Sequence, residues 1–186
     1  GYRENDELGG SDPYSASKAS AEHVINSYYQ SFLNKKSNIR LSIARAGNVI
    51  GGGDWAENRI IPDCINCWSK DKIVKIKNPN STRPWQHVLE PLSGYLSLAY
   101  ELNNSDNLNG EAFNFGPSDN SSYSVEELIE EMIKYWPTNI KHLIEIKKEL
   151  FHEASLLKLN CDKSSALLRW KSGFSFKDCV KNTIEW

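Results

Sequence analysis

Along the chain, segments whose apolar residues recur every three or four positions alternate with short segments in which they recur every second. From Asp12, the residues Val24, Ile25, Tyr28, Tyr29 and Phe32 fall at i, i+4, i+8 spacing. That period predicts a helix over 12–33 with its apolar stripe packed on a sheet. Asn34-Lys35-Lys36-Ser37-Asn38 breaks it, and the alternation of Ile39, Leu41 and Ile43 opens a predicted strand over 41–50. Further on, the pattern predicts a helix over 59–70 with Pro62 near its start, and a strand over 73–77. A helix over 90–102 turns Leu92, Tyr95, Leu98, Ala99 and Leu102 inward, and a strand follows over 111–116. Ser124 and Glu127 have the spacing of a capping box, starting a helix that runs to Trp136 and stops at Pro137. Leu143, Ile144 and Ile146 suggest a short strand, 164–170 a short helix, and Ser175 with Asp178 the start of a last one. In that last helix Phe176, Val180 and Ile184 face the core. Helix followed by buried strand is half of an α/β repeat, and such sheets take ligands at the carboxyl ends of their strands.

Composition narrows the class. At 186 residues the chain is long enough to bury a sizeable core, in one domain or two small lobes. Hydrophobic residues make up 39% and charged residues 25%, a globular rather than a disordered balance. A net charge of −2 gives no basic excess and argues against nucleic acid as a partner. No apolar run approaches a membrane span, and no signal peptide opens the sequence. Cys64 and Cys67 form a C-x-x-C with no second pair to complete a zinc site. They fall within the stripe Ile60, Ile61, Cys64, Ile65, Trp68 and read as buried thiols, which fits a reduced cytoplasm and no metal. Gly1-Tyr2-Arg3-Glu4-Asn5-Asp6 is polar and extended, with no helix or strand leading in, and reads as the interior of a longer chain.

Candidate chemistry gathers at four places. Asp12 is a helix N-cap and Pro13 suits the first turn, so Tyr14 and Lys18, four apart, share one helix face. A phenol is a poor base near neutrality, but an adjacent ammonium favours its ionised form. Such a pair could accept a hydroxyl proton and hold a cofactor's sugar; on spacing alone an exposed polar helix face is the better reading, and the small residues between the pair and the motifs downstream reverse it. Arg45-Ala46-Gly47-Asn48-Val49-Ile50-Gly51-Gly52-Gly53-Asp54-Trp55 ends the strand predicted over 41–50. Its glycine run reads equally as a flexible hairpin or a binding loop, and it is not a G-x-G-x-x-G fingerprint. Arg83, extended before Pro84, presents a fork that matches a diphosphate, or is a surface arginine. His152-Glu153 forms a polar patch before Leu156, Leu157 and Leu159, where the histidine reads as a solvated loop residue.

Taken together these stretches resemble the extended short-chain dehydrogenase/reductase superfamily, in its nucleotide-sugar epimerase and dehydratase branch. Tyr14-Ser15-Ala16-Ser17-Lys18 matches the family's Tyr-x-x-x-Lys. Arg45 to Gly51 is similar to its arginine-x-x-asparagine-valine-tyrosine-glycine element, with Ile50 in place of the tyrosine. Arg83 before Trp85-Gln86-His87-Val88 resembles the diphosphate-gripping element, and Asn114-Phe115-Gly116-Pro117 the strand end that follows. Within the branch, RAGNVIGGGDW and RPWQHVLEPLSG look like the group acting on CDP-glucose rather than the dTDP- or GDP-sugar groups. Asn160 departs from the family's usual aspartate, and Arg169 stands where a glycine often precedes the tryptophan.

The resemblance implies the C-terminal part of a Rossmann-like doubly wound parallel sheet with a smaller, interwoven α/β substrate-binding lobe. Residues 1–50 would close the NAD-binding part and 51–186 form mainly the substrate lobe, with about 88–116 returning to the first. The family's dinucleotide fingerprint and its serine/threonine-aspartate-lysine/glutamate element match nothing here, so the chain resembles the C-terminal half to two-thirds of such an enzyme. The implied activity converts CDP-glucose to CDP-4-dehydro-6-deoxyglucose by internal hydride transfer through bound NAD and loss of water. Tyr14 would be the proton acceptor and Lys18 the ribose contact, with Asn48, Arg59, Arg83 and Glu153 holding the nucleotide sugar. The same resemblance implies a cytoplasmic homo-oligomer paired through the 12–33 helix, feeding deoxysugar synthesis for surface polysaccharide.

Overall fold

The computed structural model describes residues 1–10, 12–34, 38–117, 122–140, 144–146 and 158–186. Leu143, His152 and Glu153 lie outside the described residues.

Helix α1 (Pro13–Tyr28) starts at Asp12, whose carboxylate accepts from the Ser15 amide at 3.0 Å and the Ser15 hydroxyl at 2.6 Å. Those bonds hold the Asp12 carboxyl below the usual carboxylate range. The helix runs on into a π-helical turn, Tyr29–Leu33, whose last bond is from the Asn34 amide to the Tyr29 carbonyl. The predicted apolar stripe divides. Ala19, Glu22, Ile25 and Tyr29 form the inward, covered edge, whereas Val24, Tyr28 and Phe32 are exposed. One strip of a helix touches a sheet, and the adjacent positions i−1 and i+3 point past it.

The predicted strand over 41–50 is two strands, β1 (Ile43–Ala46) and β2 (Val49–Ile50), separated by Gly47-Asn48. Helix α2 (Ile60–Trp68) and strand β3 (Val74–Ile76) follow as expected, then the short strands β4 (Thr82–Arg83) and β5 (Gln86–His87). Helix α3 (Leu89–Asn104) buries Pro91, Gly94 and Leu98, but Leu92 and Ala99, expected inside, are exposed. After a 3-10 turn at Asp106–Leu108 come β6 (Ala112–Phe115) and β7 (Tyr123–Ser124). Helix α4 (Val125–Tyr135) is started by the predicted capping box, with both reciprocal bonds made. Strand β8 (Ile144–Ile146), helix α5 (Asp162–Leu168) and helix α6 (Phe176–Ile184) complete the order, α6 on a capping box from Ser175 and Asp178.

The strands pair in twos. β1–β6, β2–β5 and β3–β8 are parallel, and β4–β7 is antiparallel. Parallel pairs joined through helices mark the α/β class. Two apolar cores form. One joins Leu98, Leu108, Phe113, Phe115, Leu168 and Trp170 from α3, β6 and α5. The other joins Ile50, Ile61, Trp68, Ile76, Trp85, Leu128, Met132 and Val180 across β2, α2, β3, α4 and α6. Residues 1–6 are not merely extended: Tyr2 forms a parallel bridge with Leu159, and its amide donates to the Lys158 carbonyl at 2.7 Å.

Candidate functional site

The site is best located from how α1 lies on β1. Near the far end of the helix, the Tyr29 hydroxyl donates to the Asn109 carbonyl at 2.9 Å, and the neighbouring Gly110 amide donates to Leu41, just ahead of β1. Further toward the helix start, Glu22 makes a bidentate pair with Arg45: Nε–Oε1 is 3.0 Å and Nη2–Oε2 is 2.6 Å. Arg45 Nη1 also donates to the Glu4 carbonyl at 3.2 Å. Helix and strand therefore run antiparallel, with Glu22 already near β1's carboxyl end. Lys18 and Tyr14 lie one and two turns beyond Glu22 on the same face, roughly 6 and 12 Å further along the axis. Along the helix axis both lie beyond Glu22, on the side of β1's carboxyl end. Tyr14 is 71% exposed, and Lys18 Nζ lies 5.8 Å from its ring centroid.

Asn48 sits at the bend between β1 and β2, and its carbonyl accepts from the Gln86 amide at 2.9 Å. That bond brings the β1 carboxyl end against the segment containing Arg83. Gly47 permits the approach, because a Cβ there would lie 3.1 Å from Pro84 Cγ and 3.2 Å from the Pro84 carbonyl. Arg83 is half-buried in β4, opposite Tyr123, and its Nη1 donates to the Thr82 carbonyl at 2.9 Å. The Tyr123 ring stacks on Phe176 at 3.8 Å, and its carbonyl accepts from Trp85 Nε1 at 3.0 Å. So β4 is braced from two sides.

The glycine run is a structured turn. Gly53 has φ +79°, and a Cβ on Gly52 would stand 2.1 Å from the Trp186 ring that packs over it. Arg59 stands immediately before α2, 64% exposed, and pairs at 3.8 Å with Asp54 across this turn. Asn48 lies between the carboxyl end of β1 and the start of β2, Arg83 lies three residues before β5, and Tyr14 and Lys18 lie on the first turns of α1; the carboxyl end of β1 is where an α/β sheet takes a ligand. Arg59 lies at the rim beyond the glycine turn.

Several polar residues important to this region were not anticipated. Glu90 is buried, and its two carboxylate oxygens accept from the Gly173 and Phe174 amides at 2.9 Å each. His87 is buried with its ring edge-on to Phe174 at 5.7 Å. Burial pushes its pKa down, with Glu90 pulling partly the other way. Asn114 is buried and its Nδ2 bonds the Tyr2 and Asn160 carbonyls at 3.0 and 3.1 Å. Glu22, Gln86, Glu90 and Asn114 all find partners far along the chain, so the motifs that contain the last three do not show what these side chains bond. The cysteines are free. Burial pushes Cys64 up and Cys179 up to about 11, so both remain inert thiols near neutrality. Among the described residues no group of three His, Cys, Asp or Glu is placed to hold a metal, and no helix is long and apolar enough to cross a membrane.

Parallel strand pairs joined through helices define an α/β protein. The chain belongs to the family described as GDP-mannose 4,6 dehydratase, whose model matches residues 1–183. It is 41% identical over 190 residues to CDP-glucose 4,6-dehydratase of Salmonella typhimurium, covering 100% of this chain and 53% of the relative. Among solved structures it is similar to dTDP-glucose 4,6-dehydratase of Streptomyces venezuelae, with NAD bound, at a TM-score of 0.83 and 18% identity. That match covers 100% of this chain and 53% of the other. A dTDP-glucose 4,6-dehydratase of Bacillus anthracis, in complex with NAD, matches at a TM-score of 0.80 and 21% identity, over 100% of this chain and 55% of the other. These likenesses bear out the Rossmann-like fold. The chain spans about half the length of the curated relatives it matches.

Proposed function

We propose that this chain carries the substrate grip and proton-accepting residue of an NAD-dependent lyase that converts CDP-glucose to CDP-4-dehydro-6-deoxyglucose. The observation that supports the reading is that Tyr14 and Lys18 share the first turns of α1, on the side of Glu22 nearer β1's carboxyl end, with Lys18 Nζ 5.8 Å from the Tyr14 ring. The 41% identity to the Salmonella relative, over the whole of this chain and 53% of that protein, supports the cytidine nucleotide. When bound, NAD would supply a reversible hydride acceptor for the oxidation at the sugar's C4 and the reduction at C6. Tyr14 takes the proton of the C4 hydroxyl, and Lys18 holds a hydroxyl of the nicotinamide ribose. Both are exposed and fit that end of the cofactor; among the described residues no glycine-rich strand–turn–helix receives its pyrophosphate. Arg83 meets the substrate diphosphate with a planar fork, Asn48 orients the sugar, and Arg59 closes on the phosphates from the rim. Glu153 is proposed with them on resemblance alone. Residues 1–50 read as the end of the cofactor lobe and 51–186 mainly as the substrate lobe, with about 88–116 returning. The division into two apolar cores supports that organisation. On this reading the protein works in the cytoplasm as a homo-oligomer and supplies deoxysugars for surface polysaccharide.

The test is a chimaera in which the N-terminal half of the Salmonella relative precedes Gly1, assayed with CDP-, dTDP-, UDP- and GDP-glucose. Turnover of CDP-glucose is expected. Preference for dTDP-glucose overturns the cytidine reading, and a folded, NAD-bound chimaera that turns over none of the four overturns the catalytic one. The chain alone is expected to give no turnover and no tight NAD binding. Micromolar NAD affinity in equilibrium dialysis would refute that.

A further inference from the structure

Asn48 and Arg83 stand at a break in the sheet. β1 pairs with β6 as far as Ala46 opposite Phe115, and β2 pairs with β5 from Val49 opposite Gln86. Only Gly47 and Asn48 lie between. The two strand pairs belong to different cores: Phe115 is in one, Ile50 and Trp85 are in the other. A rigid site at such a seam needs something that crosses it.

Gln86 crosses it twice. Its backbone amide donates to the Asn48 carbonyl at 2.9 Å. Its side-chain Nε2 donates to the Phe115 carbonyl at 3.0 Å, and that carbonyl also accepts from the Gly47 amide at 3.2 Å. One oxygen at the carboxyl end of β6 is thereby shared between the residue before Asn48 and the residue three places after Arg83. Gln86 is fully buried, at 0% exposure, and its Oε1 has no hydrogen-bond partner among the described residues. A buried acceptor without a donor is unfavourable, and methionine would fill a similar volume without one. Packing alone therefore favours an apolar residue here. What an apolar residue cannot supply is the Nε2 bond.

We infer that Gln86 is a positioning residue whose side-chain amide replaces the missing rung between β5 and β6. It fixes the spacing of Asn48 and Arg83 for a nucleoside-diphosphate sugar. The ligand half of this inference rests on the proposed function; the mechanical half does not. Gln86→Met keeps the volume and removes both the bridging donor and the orphan acceptor.

In Gln86→Met, amide hydrogen exchange at Gly47 and Asn48 should speed up by about tenfold, while α4 and α6 keep their protection and the thermal midpoint is held or raised. Affinity for CDP-glucose, titrated calorimetrically into the chain, should fall by about tenfold. A purely structural side chain would give a lower midpoint and protection lost across both cores, and that result overturns the inference. So does unchanged exchange at Gly47, whatever the ligand does, and so does unaltered CDP-glucose affinity once exchange has changed. If Gln86→Met does not fold, Gln86→Glu keeps the shape and loses the donor, and must show the same local loosening. Absence of CDP-glucose binding in the wild-type chain is a separate result: it overturns the substrate reading and leaves the exchange measurement to decide the role of Gln86.

Discussion

On the proposed reading, Tyr14 has a task that its ring alone cannot perform. In the chimaera, Tyr14→Phe keeps the packing but removes the proton acceptor, and turnover should fall by ~10²–10⁴-fold with substrate binding retained. Near-native rates in that variant would leave α1 a purely structural helix. Arg83→Ala loses a charge-assisted contact of roughly 1.5–3 kcal/mol, which is one to two decades in KM at about 1.4 kcal/mol each. The loss should be similar for every nucleotide base, because the diphosphate is common to all; an unchanged KM removes Arg83 from the site. His87 makes a different prediction. Its native pKa lies below the ordinary value of 6.5, so the unfolded chain binds more protons between the native value and 6.5. Its contribution is complete above pH 6.5 and is lost as pH falls from there toward the native value. Urea midpoints measured from pH 7.5 to 5 should decline, and His87→Phe should flatten the decline. Tyr14, Lys18 and Arg83 stood out in the sequence because the chemistry proposed for them lies in short motifs. Gln86 and Glu90 were not, because the partners that explain them, Phe115 and residues 173–174, are 29 and more than 80 residues away.

The helices read well in the sequence wherever a local signal sets their ends. Both capping boxes form, and Ser124→Ala should cost about 1 kcal/mol, seen as a lower thermal midpoint. Arg169 shows the opposite case. It closes α5 at φ +53°, a left-handed position that a side chain occupies at a cost and glycine occupies freely. The family's usual glycine at this place has that physical reason, and Arg169→Gly should stabilise the chain by roughly 0.5–1 kcal/mol. A lower midpoint in that variant would mean that Arg169 makes contacts worth more than the strain. The strands were harder to read. An apolar run cannot show where its pairing partner changes, so 41–50 looked like one strand although β1 and β2 pair with different neighbours. Likewise α1 has enough apolar residues for two adjacent stripes, and periodicity alone does not say which one meets the sheet.

At the scale of the molecule, much apolar surface is open. Val24, Tyr28 and Phe32 on α1, and Leu89, Leu92, Leu96 and Tyr100 on α3, are all exposed. Among the described residues no strand pairs with the second edge of β1. Open edges and contiguous apolar faces drive association. The chain on its own should therefore self-associate at micromolar concentration, as sedimentation velocity would show; a stable monomer at 100 µM (about the concentration of a routine run) would refute this.

The bridge between Tyr2 and Leu159 carries a consequence for the order of assembly. Glu4 accepts from the Asn114 amide, and the Tyr2 carbonyl accepts from Asn114 Nδ2 and the Asn160 amide. Residues 2–4 are therefore seated only once residues more than 100 positions further along the chain are present. Loops that long are entropically expensive to close, so these bonds belong after the folding transition state rather than before it. Weakening them should leave the refolding rate nearly unchanged and hasten unfolding. Residues 2–4 act as a latch fastened by later parts of the chain, and the lifetime of the native state, more than the speed of reaching it, depends on how well it holds.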